Sequence, residues 1–271
     1  MNPGRPPLSL RARADVFAFL VGFTALGYQS WLLRRLLAVL GGNELVVALA
    51  LAAWLFISGI GAVAGGQDSR SGWLVLIGFP LLAALPLAFL IASFLLPPLL
   101  GLLPGEAAGP LEMLAGAFLL LGLPAAVCGA GFSHAAALQP DPVTGAGRAY
   151  LFDAIGALAA GVVYTLAWAY PLPPERTLLP LSIAPALAPI FDRRIPRRRL
   201  MPAFIILGLF LTPALYFTVR DGILEILFRG RGEVLAAMDT RSGFIVVVRD
   251  SGQTTIFQDG VPAATFPDPD R

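Results

Sequence analysis

The sequence contains no lysine: all 19 of its basic side chains are arginine, set against 17 acidic ones. The resulting net charge of +2 gives no basic field for nucleic acid, so no DNA or RNA partner is expected. A single cysteine, Cys128, excludes an internal disulfide, and a single histidine, His134, excludes a multi-histidine metal centre. No metal and no other cofactor is expected. Charge of either sign is scarce, at 13% of residues, whereas a soluble domain carries about 25%. Hydrophobic residues make up 57% and mean hydropathy is +0.77, the composition of a chain whose first partner is the lipid bilayer.

The scarcity is uneven. Residues 15–219 hold 19 charged side chains in 205 positions, and residues 220–271 hold 14 in 52. The chain therefore divides into an N-terminal segment (1–14), a transmembrane module (15–219) and a tail of soluble composition (220–271). About 20 apolar residues cover the hydrocarbon layer, and that length predicts seven spans. They run from Val16 to Leu40, Glu44 to Gly66, Trp73 to Leu103, Leu111 to Leu138, Ala149 to Tyr170, Thr177 to Phe191 and Leu200 to Val219. Pro80, Pro86, Pro97 and Pro98 predict a kinked third span, and the sixth is the weakest, being short and holding Pro180, Pro185 and Pro189. The first apolar run is too long for a cleaved signal core.

Orientation follows from arginine in the short loops. With the N-terminus in the cytoplasm, Arg5, Arg11, Arg13, Arg70, Arg148 and the run from Arg193 to Arg199 all fall inside. The expectation is an inner-membrane protein with its N-terminus inside and, after seven crossings, its tail outside.

The tail changes period. Val234 to Met238, Phe244 to Val248, Thr254 to Phe257 and Val261 to Phe266 read as strands, separated by Asp250-Ser251-Gly252 and Asp259-Gly260. The expected fold class is thus an all-α integral membrane bundle with a short C-terminal antiparallel β-meander. So small a sheet buries too little to stand alone. It needs another copy, the membrane part or a further domain as its partner.

Gly22 to Arg34 with the following Gly41-Gly42-Asn43-Glu44, then Tyr150, Asp153 and Gly156 opening a later helix, and then the tail from Val234 to Gly260 carry a resemblance. In their order and spacing the chain resembles the membrane-embedded spermidine synthase-like proteins. It implies a membrane module followed by the β lead-in of an aminopropyltransferase, which transfers an aminopropyl group from decarboxylated S-adenosylmethionine to a diamine. The family's residues for polyamine and cosubstrate are not matched. After Asp259-Gly260 the chain reads Ala263 to Asp270, with Pro269 in place of a glutamate, and no glycine-rich strand-turn-helix follows. Gly230-Arg231-Gly232 leads into a strand and lacks that context. No catalytic residue is expected in these 271 residues, and aminopropyl transfer would require a separate catalytic domain. The preferred topology also places the tail outside, where that cosubstrate is not expected.

Polar residues within spans are costly and so are the candidate site. Tyr28, Gln29, Arg34, Arg35 and Glu44 form one candidate group, with interfacial snorkelling as the alternative for the two arginines. Asp153 either pairs with an arginine of another span or caps its own helix. Glu112 reads as a helix N-terminal anion, and His134 as an interfacial hydrogen-bonding group. Ser58, Gly61 and Gly65, with Gly156, offer close helix packing, within the chain or between copies.

Three functions remain open. The first is a membrane module that anchors or positions a catalytic partner, with the β-tail as the contact for that partner or for another copy of the chain. The second is a small permease-like protein, for which the proline-rich third and sixth segments would be the pair of broken helices. The third is a non-catalytic assembly subunit that offers a strand edge to a partner.

Overall fold

The computed structural model describes residues 8–41, 43–66, 71–102, 108–141, 143–169, 174–191, 232–240, 243–258 and 261–267. Seven α-helices occur among them: α1 (Leu8–Val39), α2 (Glu44–Gly65), α3 (Ser71–Ala84), α4 (Pro86–Leu99), α5 (Pro110–Leu138), α6 (Gly145–Ala169) and α7 (Pro174–Leu187). A 3-10 turn, Ala188–Phe191, follows α7, and four strands close the chain: β1 (Glu233–Thr240), β2 (Gly243–Asp250), β3 (Gln253–Gln258) and β4 (Val261–Phe266).

Four helices, α1, α2, α5 and α6, are long and apolar enough to cross a membrane, and α3 with α4 makes a fifth crossing if that bent pair is one span. The expected seven are therefore reduced among the described residues. Thr177 to Phe191 is helical but short of a span, and Leu200 to Val219 lies outside the described residues. The first helix also begins earlier than Val16, because the turn carrying Arg11 and Arg13 continues the helix beyond the apolar run.

Local chemistry sets the ends. Gly41 takes φ +84°, a left-handed conformation open to glycine, and turns the chain out of α1. Two residues later Asn43 caps α2, its Oδ1 accepting from the Val46 amide at 3.0 Å. At α5, Gly109 and Pro110 open the helix, and the Glu112 carboxylate lies back against Gly109 in the first turn. The third segment breaks only once. Pro80, Pro97 and Pro98 sit inside helices, whereas the chain bends by 68° between Ala84 and Pro86.

The helices pair in parallel. α1 runs beside α6, matching Asp15 with Arg148, Gly22 with Asp153 and Gly27 with Tyr164. α2 runs beside α5, matching Gly61 with Ala126 and Gly65 with Ala130. α1 and α5 are antiparallel: Phe17 touches His134 near one end, and Leu40 lies beside Gly116 near the other. Lipid gives helices no hydrophobic reason to associate, so close backbone approach and dispersion hold these pairs. Outward faces of α2 and α6 stay apolar and exposed, as at Leu55, Phe56, Val63, Leu158 and Leu166.

In the tail, strand order is β1-β2-β3-β4, every neighbour antiparallel. Asp250 pairs with Gln253 across a two-residue turn in which Ser251 and Gly252 both have positive φ, 48° and 87°. Asp259 and Gly260 lie outside the described residues. The partner that the sheet requires is the helical module: β1 approaches α6, β2 approaches α1, and Val246, Val248 and Phe257 are buried in the same apolar cluster as the bundle. Each such side chain contributes about 1.5–3 kcal/mol when withdrawn from water. Gly232 enters β1 at φ +117°, where a Cβ would overlap the Arg249 carbonyl; the glycine serves the strand, not a phosphate loop.

Candidate functional site

α1 carries several of the polar side chains buried in the bundle, Thr24, Tyr28 and Arg35 among them. Thr24 Oγ1 donates to the Leu20 carbonyl at 2.7 Å, one turn back in its own helix. One turn further on, the buried Tyr28 hydroxyl donates to the Leu82 carbonyl on α3, and its ring meets Phe89 edge-on at 5.8 Å. The acceptor is explained by the break. A helical Leu82 carbonyl takes its hydrogen from residue 86, which here is proline and has none. Tyr28 supplies the missing donor in a setting without water to do so.

The remaining members of the predicted group are distributed differently. Arg35 is fully buried, its guanidinium 5.6 Å from the centre of the Trp31 ring one turn earlier, so it does not snorkel to an interface. Gln29 and Arg34 are half-buried on the flanks of that face, and Glu44 is exposed in the first turn of α2. Tyr28 and Arg35 thus share the inner face of α1, and the structure does not gather all five residues into one pocket. His134 is buried near the end of α5 against Phe17, ring centres 5.7 Å apart.

A second polar cluster was not anticipated. Asp15 on α1 receives Arg148 Nε at 2.8 Å and Nη2 at 2.6 Å from α6, and Gln139 Nε2 at 3.3 Å from the end of α5. Its side chain is 8% exposed, while that of Arg148 is 44% exposed. The guanidinium also lies 5.5 Å from the centre of the Phe152 ring. Asp153, a candidate from the sequence, is half-buried and lies beyond the first turn of α6, while the ion pair between spans joins Arg148 to Asp15. The available signal was an acid at the start of an apolar span, but nothing local indicated a partner 133 residues away.

Next to this cluster, the α5–α6 connection is ordered by Asp141. Its carboxylate accepts from the Val143 amide at 3.0 Å and from Thr144 Oγ1 at 2.6 Å. These bonds, Thr144 foremost, hold its pKa below the usual carboxylate value.

The small residues all lie in helix contacts. A Cβ at Gly61 would overlap the Ala126 backbone, and one at Gly65 would lie 2.6 Å from the Ala130 Cα. Ser58 gives its hydroxyl to Leu55 at 3.1 Å within α2, while its carbonyl faces Gly129. Gly156 meets the backbone of Phe19 and Phe23. Two glycines absent from the prediction, Gly22 and Gly129, complete the same contacts from the other side. Among the described residues no three His, Cys, Asp or Glu side chains gather as a metal site.

Comparison with known proteins gives no family: no protein-family model, curated protein or solved structure matches this chain.

Proposed function

We propose that this chain is a multi-pass membrane module that holds a small β-sheet in place as the platform for a catalytic partner of the spermidine synthase type. One observation carries the reading: β1 approaches α6, β2 approaches α1, and Val246, Val248 and Phe257 are buried in the same apolar cluster as the bundle. The sheet is then fixed to the bundle through β1 and β2, and its far edge, β4, remains to receive another domain. The motifs that carry the resemblance serve this scaffold. Gly22 and Gly156 bring α1 and α6 together, and Gly41 with Asn43 turns α1 into α2.

Aminopropyl transfer is on this reading the partner's reaction. The location is the inner membrane with the N-terminus in the cytoplasm; a count of seven crossings, which needs the short Thr177 to Phe191 segment to cross as well as Leu200 to Val219, puts the sheet outside. A reporter fused after Arg271 tests that count; activity in the cytoplasm overturns it and places the sheet beside the cosubstrate. The function is tested with the purified full chain in vesicles, given diamine and decarboxylated S-adenosylmethionine. Methylthioadenosine release is expected only after a catalytic domain of the spermidine synthase type is added. Release from the chain alone overturns the platform reading, and so does indifference of the added domain to the vesicles.

A further inference from the structure

Two sets of helices repeat one another upside down. α1, α2 and α3 are matched in order by α5, α6 and α7. Because α1 is parallel to α6, α2 parallel to α5, and α1 antiparallel to α5, α1 opposes α5 and α2 opposes α6. Contacts correspond as well: α1 lies on α6 as α5 lies on α2, α3 touches α5 as α7 touches α1, and α3 and α7 face each other.

The match extends to single residues. Gly22 packs on the carbonyl of Asp153, and Gly156, three residues beyond, packs on the carbonyl of Phe19. In the other pair Gly129 packs on the carbonyl of Ser58, and Gly61, three residues beyond, packs on that of Ala126. Burial repeats in step. Val16 and Leu123 are exposed, Ala18 and Ala125 are fully buried, Phe19 and Ala126 are intermediate, and the three residues after each are buried. The sequences of these stretches agree mainly at Ala18 with Ala125 and Gly22 with Gly129, so the repeat is a property of packing more than of residue identity.

A two-fold axis perpendicular to these helices therefore relates α1 and α2 to α5 and α6, and it lies in the plane of any bilayer that they cross. Units related in this way but different in sequence give a bundle two arrangements close in energy, each unit taking up the other's conformation. The polar cluster is where the symmetry is broken. Positions matched to Asp15 and Arg148 are Gly122 and Ala53, which cannot form an ion pair. Gln139, at the end of α5, reaches Asp15 on α1 and so ties the α2/α5 pair to the α1/α6 pair at one end.

We propose that the α1/α6 and α2/α5 pairs are rigid bodies that rock about this axis and open the bundle alternately to the two sides of the membrane, with the Gln139–Asp15 contact latching one end shut. This is the movement of a permease-like protein, and it does not depend on the platform role of the tail.

The test uses the full chain in lipid nanodiscs with Cys128→Ser as background and spin-label distances as readout. Ala12→Cys with Gly66→Cys reports the latched end, and Leu111→Cys with Leu166→Cys reports the opposite end; all four positions are exposed. Gln139→Leu should lengthen the first distance and shorten the second. Asp15→Asn, which weakens the same latch without altering α5, should do likewise. No change in either distance shows a static scaffold, and lengthening of both shows general loosening. Either result overturns the proposal.

Discussion

The Tyr28 hydroxyl donates to the Leu82 carbonyl, the one acceptor that Pro86 deprives of its helical donor. The two residues are 54 positions apart, yet the break in one helix dictates the polar group on another.

That dependence is measurable as a coupling. Tyr28→Phe leaves the carbonyl unsatisfied and should cost about 0.6–1.7 kcal/mol, the range for interhelical hydrogen bonds in membrane proteins. In a Pro86→Ala background the alanine amide supplies the donor, and Tyr28→Phe should then cost much less. Reversible unfolding of the four proteins in detergent checks this, and equal costs in both backgrounds contradict it.

Four glycines make reciprocal contacts and should respond alike. Gly22→Ala, Gly61→Ala, Gly129→Ala and Gly156→Ala each force a methyl into facing backbone and should destabilise by about 1–3 kcal/mol. Gly59→Ala and Gly147→Ala meet nothing within 4 Å and should be neutral or stabilising by up to about 1 kcal/mol through helix propensity. Thermal unfolding of the six variants gives the comparison.

The ion pair is unequal in burial, and its two halves should not be equivalent. Arg148→Ala leaves the buried Asp15 carboxylate with only Gln139, whereas Asp15→Asn leaves an arginine that can turn to solvent. Arg148→Ala should therefore lower Tm further, with about 3 kcal/mol as an upper bound because the pair is partly solvated. A larger loss in Asp15→Asn contradicts this assignment.

The Asp141 turn gives a pH dependence outside the bilayer. A carboxylate whose folded pKa is depressed stabilises the fold above its unfolded pKa of about 3.9 and loses that contribution as pH falls through the folded value. Protection of the Val143 and Thr144 amides, taken relative to the intrinsic exchange rate at each pH, should fall at low pH, and Thr144→Val should move the transition upward, toward the ordinary carboxylate pKa.

Much of the architecture was legible because its signals are local. Asn43, Gly109-Pro110 and Ser251-Gly252 set element ends through hydrogen bonds and φ preferences within a few residues. The Gly61 and Gly65 spacing likewise shows in the sequence as a packing stripe. The site was less legible. Hydropathy does not distinguish a lipid-facing helix from an enclosed one, so the burial of Arg35 and His134 was not legible in it. Asp15 with Arg148, and Tyr28 with Leu82, depend on which helices become neighbours. The inverted repeat is harder still to read, since matched positions such as Phe19 and Ala126 share a packing role and not a residue type.

The account centres on a sheet held by the bundle as a platform, and vesicle flotation tests it most directly. Vesicles bearing the full chain should carry an added spermidine synthase-type catalytic domain, lacking its own β lead-in, to the top of the gradient. Val246→Asp, which places a charge in the apolar cluster that the sheet shares with the bundle, should abolish that recruitment while the helical module stays folded. A domain that remains at the bottom with the wild-type chain, or that floats equally well with Val246→Asp, contradicts the account.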